Sequence, residues 1–161
     1  MTQPAREDMR AHLSMIQTII TRMSTASSNA KSWLLPVVTA TYGFAMTKPS
    51  WKIGLLGIVA VLLFAFIDAN YLRQERAYRE LYNRVASGDE RVPLFSLNPS
   101  DANDQILTVD DNIPSNAGWK QRLKVRVDRW IPPWTVWRSW SITPFYGAFL
   151  LVGIGVVCTS R

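Results

Sequence analysis

The sequence predicts an all-α integral membrane protein with three transmembrane helices. It also predicts a cytoplasmic helical hairpin, formed by an N-terminal helix and an extension of the second span. Three observations lead there. First, residues 32–47, 53–67 and 139–160 carry no charge, whereas the rest of the 161-residue chain is polar and rich in arginine. A soluble domain of this size would spread its apolar residues at helical or strand period; here they come in blocks. Second, VAVLLFAFI (59–67) is apolar around its whole circumference, unlike a helix with one face on a soluble core. Third, the charges are asymmetric. With the N-terminus inside and three crossings, only Lys48, Lys52 and Arg161 fall outside, and every other Lys and Arg lies within. That bias accounts for the net charge of +6 without nucleic acid, which is not expected as a partner.

The blocks are short against the roughly 20 residues that a hydrocarbon core of about 30 Å requires. Flanking aromatics Trp33, Trp51, Tyr71, Trp137 and Trp140 suit the two interfaces and help to close the gap. A re-entrant first hairpin and buried helices of a soluble protein stay open as alternatives. No small-residue cleavage site follows the first block, so no cleavable signal is expected.

Taken in order, residues 1–31 read as an amphipathic cytoplasmic helix. Met9, Leu13, Ile16, Ile20 and Met23 form a heptad-type seam, suited to a neighbouring helix or to a membrane surface. Residues 32–69 form a transmembrane hairpin, with Pro36 placed in the first turn of its first span and a tight turn at KPSWK. Gly54 and Gly57 favour close approach of the two spans. Residues 70–87 continue span two as a cytoplasmic helix that Gly88 stops. Its stripe of Tyr71, Tyr78, Tyr82 and Val85 matches the N-terminal seam, so the two helices are expected to pair. Glu75–Arg79, Arg76–Glu80 and Glu80–Arg84 sit at i,i+4 on its other faces.

Residues 88–118 form an acidic loop broken by prolines, in which VPLFSL and QILTV suit short strands. Residues 119–138 form a basic, Trp-rich juxtamembrane segment. Lys120, Arg122, Lys124, Arg126 and Arg129 suit a surface of anionic lipid head groups, and LKVRV also fits a strand. Residues 139–161 form the third transmembrane helix, with Gly147, Gly153 and Gly155 as a packing face and the C-terminus outside.

Little here suits catalysis, and no catalytic residue, metal site or cofactor is expected. The single histidine, His12, reads as a surface residue of a polar helix; no serine elbow, phosphate loop or HExxH is present, and Cys158 has no partner for a disulfide. The candidate site is the seam where span two becomes a charged helix: Asp68, Asn70, Arg73, Glu75 and Arg76. Two readings of Asp68 stand. It lines a pore, a gate or a lipid contact, as carboxylates at bilayer depth often do. Otherwise it sits at the water line, paired with Lys31 or Arg73. Arg73, Glu75 and Arg76 read either as a ligand-reading cluster or as solvated helix charges.

IITRMSTASSNAKSW (19–33), two short spans and DANYLRQERAYRELYNRV (68–85) resemble uncharacterised small bacterial inner-membrane proteins ordered as helix, membrane hairpin and cytoplasmic helix. More distantly the layout is similar to SLATT-type two-span modules, which implies a membrane effector beside a nucleotide-signalling sensor. The acidic loop and third span depart from that pattern, and no catalytic residue carries over. Two functions follow as expectations. One is a non-enzymatic inner-membrane effector or sensor that oligomerises and perturbs the bilayer. The other is a scaffold or accessory subunit that anchors a protein partner.

Overall fold

A computed structural model describes residues 3–48, 50–102, 118–119 and 131–160. Its helices are α1 (Gln3–Thr47), α2 (Trp51–Ala86), α3 (Trp134–Trp137) and α4 (Thr143–Thr159), with one 3₁₀ turn at Pro99–Asp101. Among the described residues there is no strand. VPLFSL, read as a strand, is instead a run of turns: Pro93 has no N–H for a ladder and Phe95 has φ +63°. QILTV and the five basic residues Lys120, Arg122, Lys124, Arg126 and Arg129 lie outside the described residues.

The expected boundary between an N-terminal helix and a first span is not a break. SSNAK continues α1 without interruption, so Pro36 falls well inside a helix rather than in a first turn. Its ring removes the hydrogen bond that an N–H there would give to the carbonyl of Ser32. α2 likewise runs through Asp68 unbroken, as a stretch from Ile58 to Ser87 without Gly or Pro allows.

Among the described residues one helix, α2, is long and apolar enough to cross a membrane, and a third of its apolar stretch is buried. Of the three expected spans, only the second is therefore met by a helix of sufficient length and apolarity. α4 is apolar but has 17 residues. The 32–47 stretch of α1 is diluted by Ser32, Thr39, Thr41 and Thr47.

The chain divides into two compact units. The first comprises 1–24 and 73–131, the second 25–72 and 132–161. In the first, Ile16 and Ile20 of α1 pack with Leu81 and Val85 of α2 and with Ala102, flanked by Leu13, Tyr78, Tyr82 and Val92. The i,i+4 spacing on each helix makes the shared seam. Glu75–Arg79 (2.6 Å) and Glu80–Arg84 (3.4 Å) pair along α2.

α2 ends where the sequence places its stop. Gly88 has φ +74°, its N–H donates to Val85 O (3.1 Å), and the Asp89 N–H donates to Arg84 O (3.1 Å). That pair of bonds is a Schellman closure, which needs a left-handed residue at Gly88. Gly88→Ala is expected to destabilise this unit by about 1 kcal/mol, read as a lower thermal midpoint by circular dichroism. Hydrogen bonds from Arg91, with help from Arg84, hold the Asp89 carboxyl below its usual range. This contribution is present above the usual carboxylate range and is lost as pH falls through the lowered value.

His12 is buried at 1% exposure, not on the surface. Nδ1 accepts from the Phe95 N–H (3.3 Å), so Nε2 carries the proton and donates to Ser96 O (2.7 Å). The ring thereby fastens the 93–101 turns to α1 and holds Phe95 in its left-handed conformation. His12→Leu keeps the volume but removes the partner of two part-buried backbone groups, Phe95 N–H and Ser96 C=O. It is expected to cost about 1–3 kcal/mol, and limited proteolysis at the 93–101 turns should accelerate.

The second unit packs Leu34, Val38, Tyr42 and Ala45 of α1 with Val61, Ala65 and Ala69 of α2. Tyr146 and Val156 of α4, with Val136 and Ile142, complete the core. A side-chain bond from Trp137 Nε1 to Pro132 O (3.1 Å) fixes α3.

Candidate functional site

Asp68 is the centre of the site. It has 0% exposure, in a second unit whose α2 stretch otherwise faces its neighbours with apolar side chains. Small residues make room for it. Ala30 on α1 and Ala65 and Ala69 on α2 are buried at the same level, which lets the two helices approach closely. Two α1 side chains one turn apart then reach the carboxylate. Ser27 Oγ donates to Oδ1 by a short hydrogen bond. Lys31 Nζ lies 2.6 Å from Oδ2 and also donates to Ser27 Oγ at 3.1 Å. Of the two partners considered for Asp68, the one the helices provide is Lys31. The Tyr146 hydroxyl of α4 is buried within electrostatic reach of the carboxylate.

This arrangement is a clamp. A carboxylate removed from water is stabilised only if its charge is met and its lone pairs are bonded. Lys31 meets the charge at Oδ2 and Ser27 bonds Oδ1, while Oδ2 has the ion pair but no hydrogen bond of its own. It offers no open face of Asp68 to a pore or to lipid. Geometrically it fixes the register of α1 against α2, because Ser27 and Lys31 meet Asp68 only at one longitudinal setting.

The remaining seam residues do not join it. Asn70 turns its amide back to Phe66 O (2.9 Å). Arg73, Glu75 and Arg76 belong to the first unit, where Glu75 is buried and bonded to Arg79. Of the pairing residues, Leu13, Ile16, Ile20, Tyr78 and Tyr82 gather in one core. Met9 and Met23 are half-buried outside that cluster, and Tyr71 lies in the second unit.

Sequence reasoning missed Ser27 and Tyr146. The signal for Ser27 was its i,i+4 spacing from Lys31, which puts a hydroxyl and an ammonium on one face. Nothing local marked Tyr146. Among the described residues, no three His, Cys, Asp or Glu side chains gather as metal ligands would. Comparison of the chain with protein-family models, with curated proteins and with solved structures gave no match.

Proposed function

We propose that the chain is a bacterial inner-membrane protein that crosses the bilayer three times with its N-terminus inside. In this reading it acts as a non-enzymatic effector or sensor. The carrying observation is the fully buried Asp68, clamped by Ser27 and Lys31 at the level where α2 changes from apolar to charged. The apolar side chains that α1, α2 and α4 turn outward support the membrane setting: Leu35, Phe44, Leu55, Leu56, Leu62, Leu63, Leu151 and Ile154 are all exposed. The cost of leaving such residues in water disappears in hydrocarbon. The clamp then holds a resting arrangement of the first two spans, and a cytoplasmic event that separates Lys31 from Asp68 releases it.

Membrane potential in cells expressing the chain from a tight promoter tests this. Asp68→Asn keeps the size and the Ser27 contact but removes the charge that holds Lys31. It is expected to depolarise cells at expression levels where the wild type leaves the potential intact. Equal potentials for the two proteins, at equal membrane abundance, would refute the effector reading.

A second reading, a scaffold that anchors a protein partner, is favoured by one observation in the first unit. Leu94, Phe95 and Leu97 are exposed on turns that His12 holds in place. Stable co-purification of one partner, lost in Leu94→Ser/Leu97→Ser, would support it over the effector.

A further inference from the structure

The outward apolar surface of the second unit is short on α1 and α2, and α4 is itself too short to present a longer one. On α2 the exposed apolar residues run from Trp51 to Ile67. At 1.5 Å per residue that is about 24 Å. On α1 they run from Trp33 to Met46, about 20 Å by the same rise. α4 has 17 residues in all, about 25 Å.

Before Trp33 on α1 and at the hairpin turn the outward face turns polar. On α1 the exposed residues preceding Trp33 are Thr25, Ser28, Asn29 and Ser32. At the other end stand the exposed Lys48 and Lys52. Exposed tryptophans mark the borders: Trp33, Trp134 and Trp140 toward the Asp68 end, and Trp51 at the hairpin turn. Lys31 cannot lengthen the band by reaching outward, because its ammonium is held on Asp68. Tilt only shortens the height that a helix of given length covers.

We infer that this surface is fitted to a bilayer with a hydrocarbon core of about 20–25 Å, thinner than the usual 30 Å or so. In an ordinary membrane the surrounding lipid must compress or protomers must associate to cover the mismatch. Either response gives a small helical unit a means of stressing the bilayer without a catalytic group. The inference rests on the membrane reading above and specifies the lipid partner.

The test uses the purified full chain in phosphatidylcholine vesicles with monounsaturated chains of about 14, 18 or 22 carbons, spanning the mismatch range. Flotation reports insertion. Tryptophan quenching by brominated lipid in pairwise mixtures reports relative lipid affinity. The expected result is insertion with about threefold preference for the shortest chain over the longest. Ser28→Leu/Ser32→Leu, which extends the band by one turn without touching the Asp68 clamp, should move the optimum to the middle chain length. Insertion with an optimum at the middle or longest chain, or with no preference, would overturn the thin-band inference and leave the membrane reading standing. Failure to float with any of the vesicles would overturn both.

Discussion

Lys31→Met is expected to destabilise the second unit by about 3–5 kcal/mol, the range found when one partner of a buried ion pair is removed. The size of the effect comes from what is left behind. Asp68 has 0% exposure, and Ser27 satisfies only Oδ1, so without Lys31 a buried carboxylate faces a thioether. Asp68→Leu alone is milder, because Lys31 keeps part of its exposure and can swing its ammonium to water. The double variant Lys31→Met/Asp68→Leu, which fills the site with apolar volume, should recover most of the loss. Thermal unfolding in detergent micelles, read by circular dichroism for the four proteins, gives the cycle. Coupling below about 0.5 kcal/mol would show two independent sites and sink the clamp. Recovered stability in the double variant, together with an altered membrane potential in cells, would separate the clamp's two roles. The pair would then contribute little net stability while fixing how α1 lies against α2.

The helical class and the outline of the elements were legible because their signals are local. The seam from Leu13 to Ile20 and the stripe from Tyr78 to Val85 repeat at helical period, and they do share one core. Gly88 after a charged helix marks a stop, and its φ of +74° is the conformation that glycine accepts most readily. What was not legible depends on distance in the chain. The continuity of α1 through SSNAK and Pro36 runs against local propensity, since a proline inside a helix usually argues for a break. His12 looks like a solvent-facing residue of a polar helix until the 93–101 turns, more than eighty residues later, supply Phe95 and Ser96 as partners. Span length by composition is similarly incomplete. Charge-free blocks mark where apolar residues cluster, but among the described helices only α2 is apolar over a long enough stretch to cross. The candidate site was half visible: Asp68 and Lys31 could be named from the seam, whereas Ser27 required knowing which face of α1 turns inward.

Gly57→Val and Gly153→Ala are each expected to disrupt the second unit, the valine by about 3 kcal/mol and the alanine by about 1–3 kcal/mol. Both glycines line one slot, and Tyr42 of α1 fills it. A Cβ at Gly57 would lie 2.7 Å from Tyr42 Cδ1 and 2.8 Å from Thr41 Oγ1, and closer still to Tyr42 Cε1. A Cβ at Gly153 would lie 2.7 Å from Tyr42 Cζ and 2.8 Å from Ile58 Cγ1, and closer still to the hydroxyl oxygen. The ring cannot evade either one. It is pinned between α2 and α4, and its hydroxyl donates to Phe149 O at 3.2 Å. Gly147 and Gly155, which share the α4 glycine pattern, face open space, so alanine there should change stability little. The contrast between Gly153 and its two neighbours is therefore a test of the packing and not of glycine as such. Tyr42→Leu shortens the side chain and removes the clash, so Gly57→Ala should cost less in the Tyr42→Leu background than in the wild type. If the two changes simply add, Tyr42 does not occupy the slot. If they couple, three helices meet on one tyrosine at a level separate from the Asp68 clamp. Any release of that clamp must then either pivot the bundle about Tyr42 or break its packing there, and the Gly57→Ala variant, already strained at that point, should require less to open.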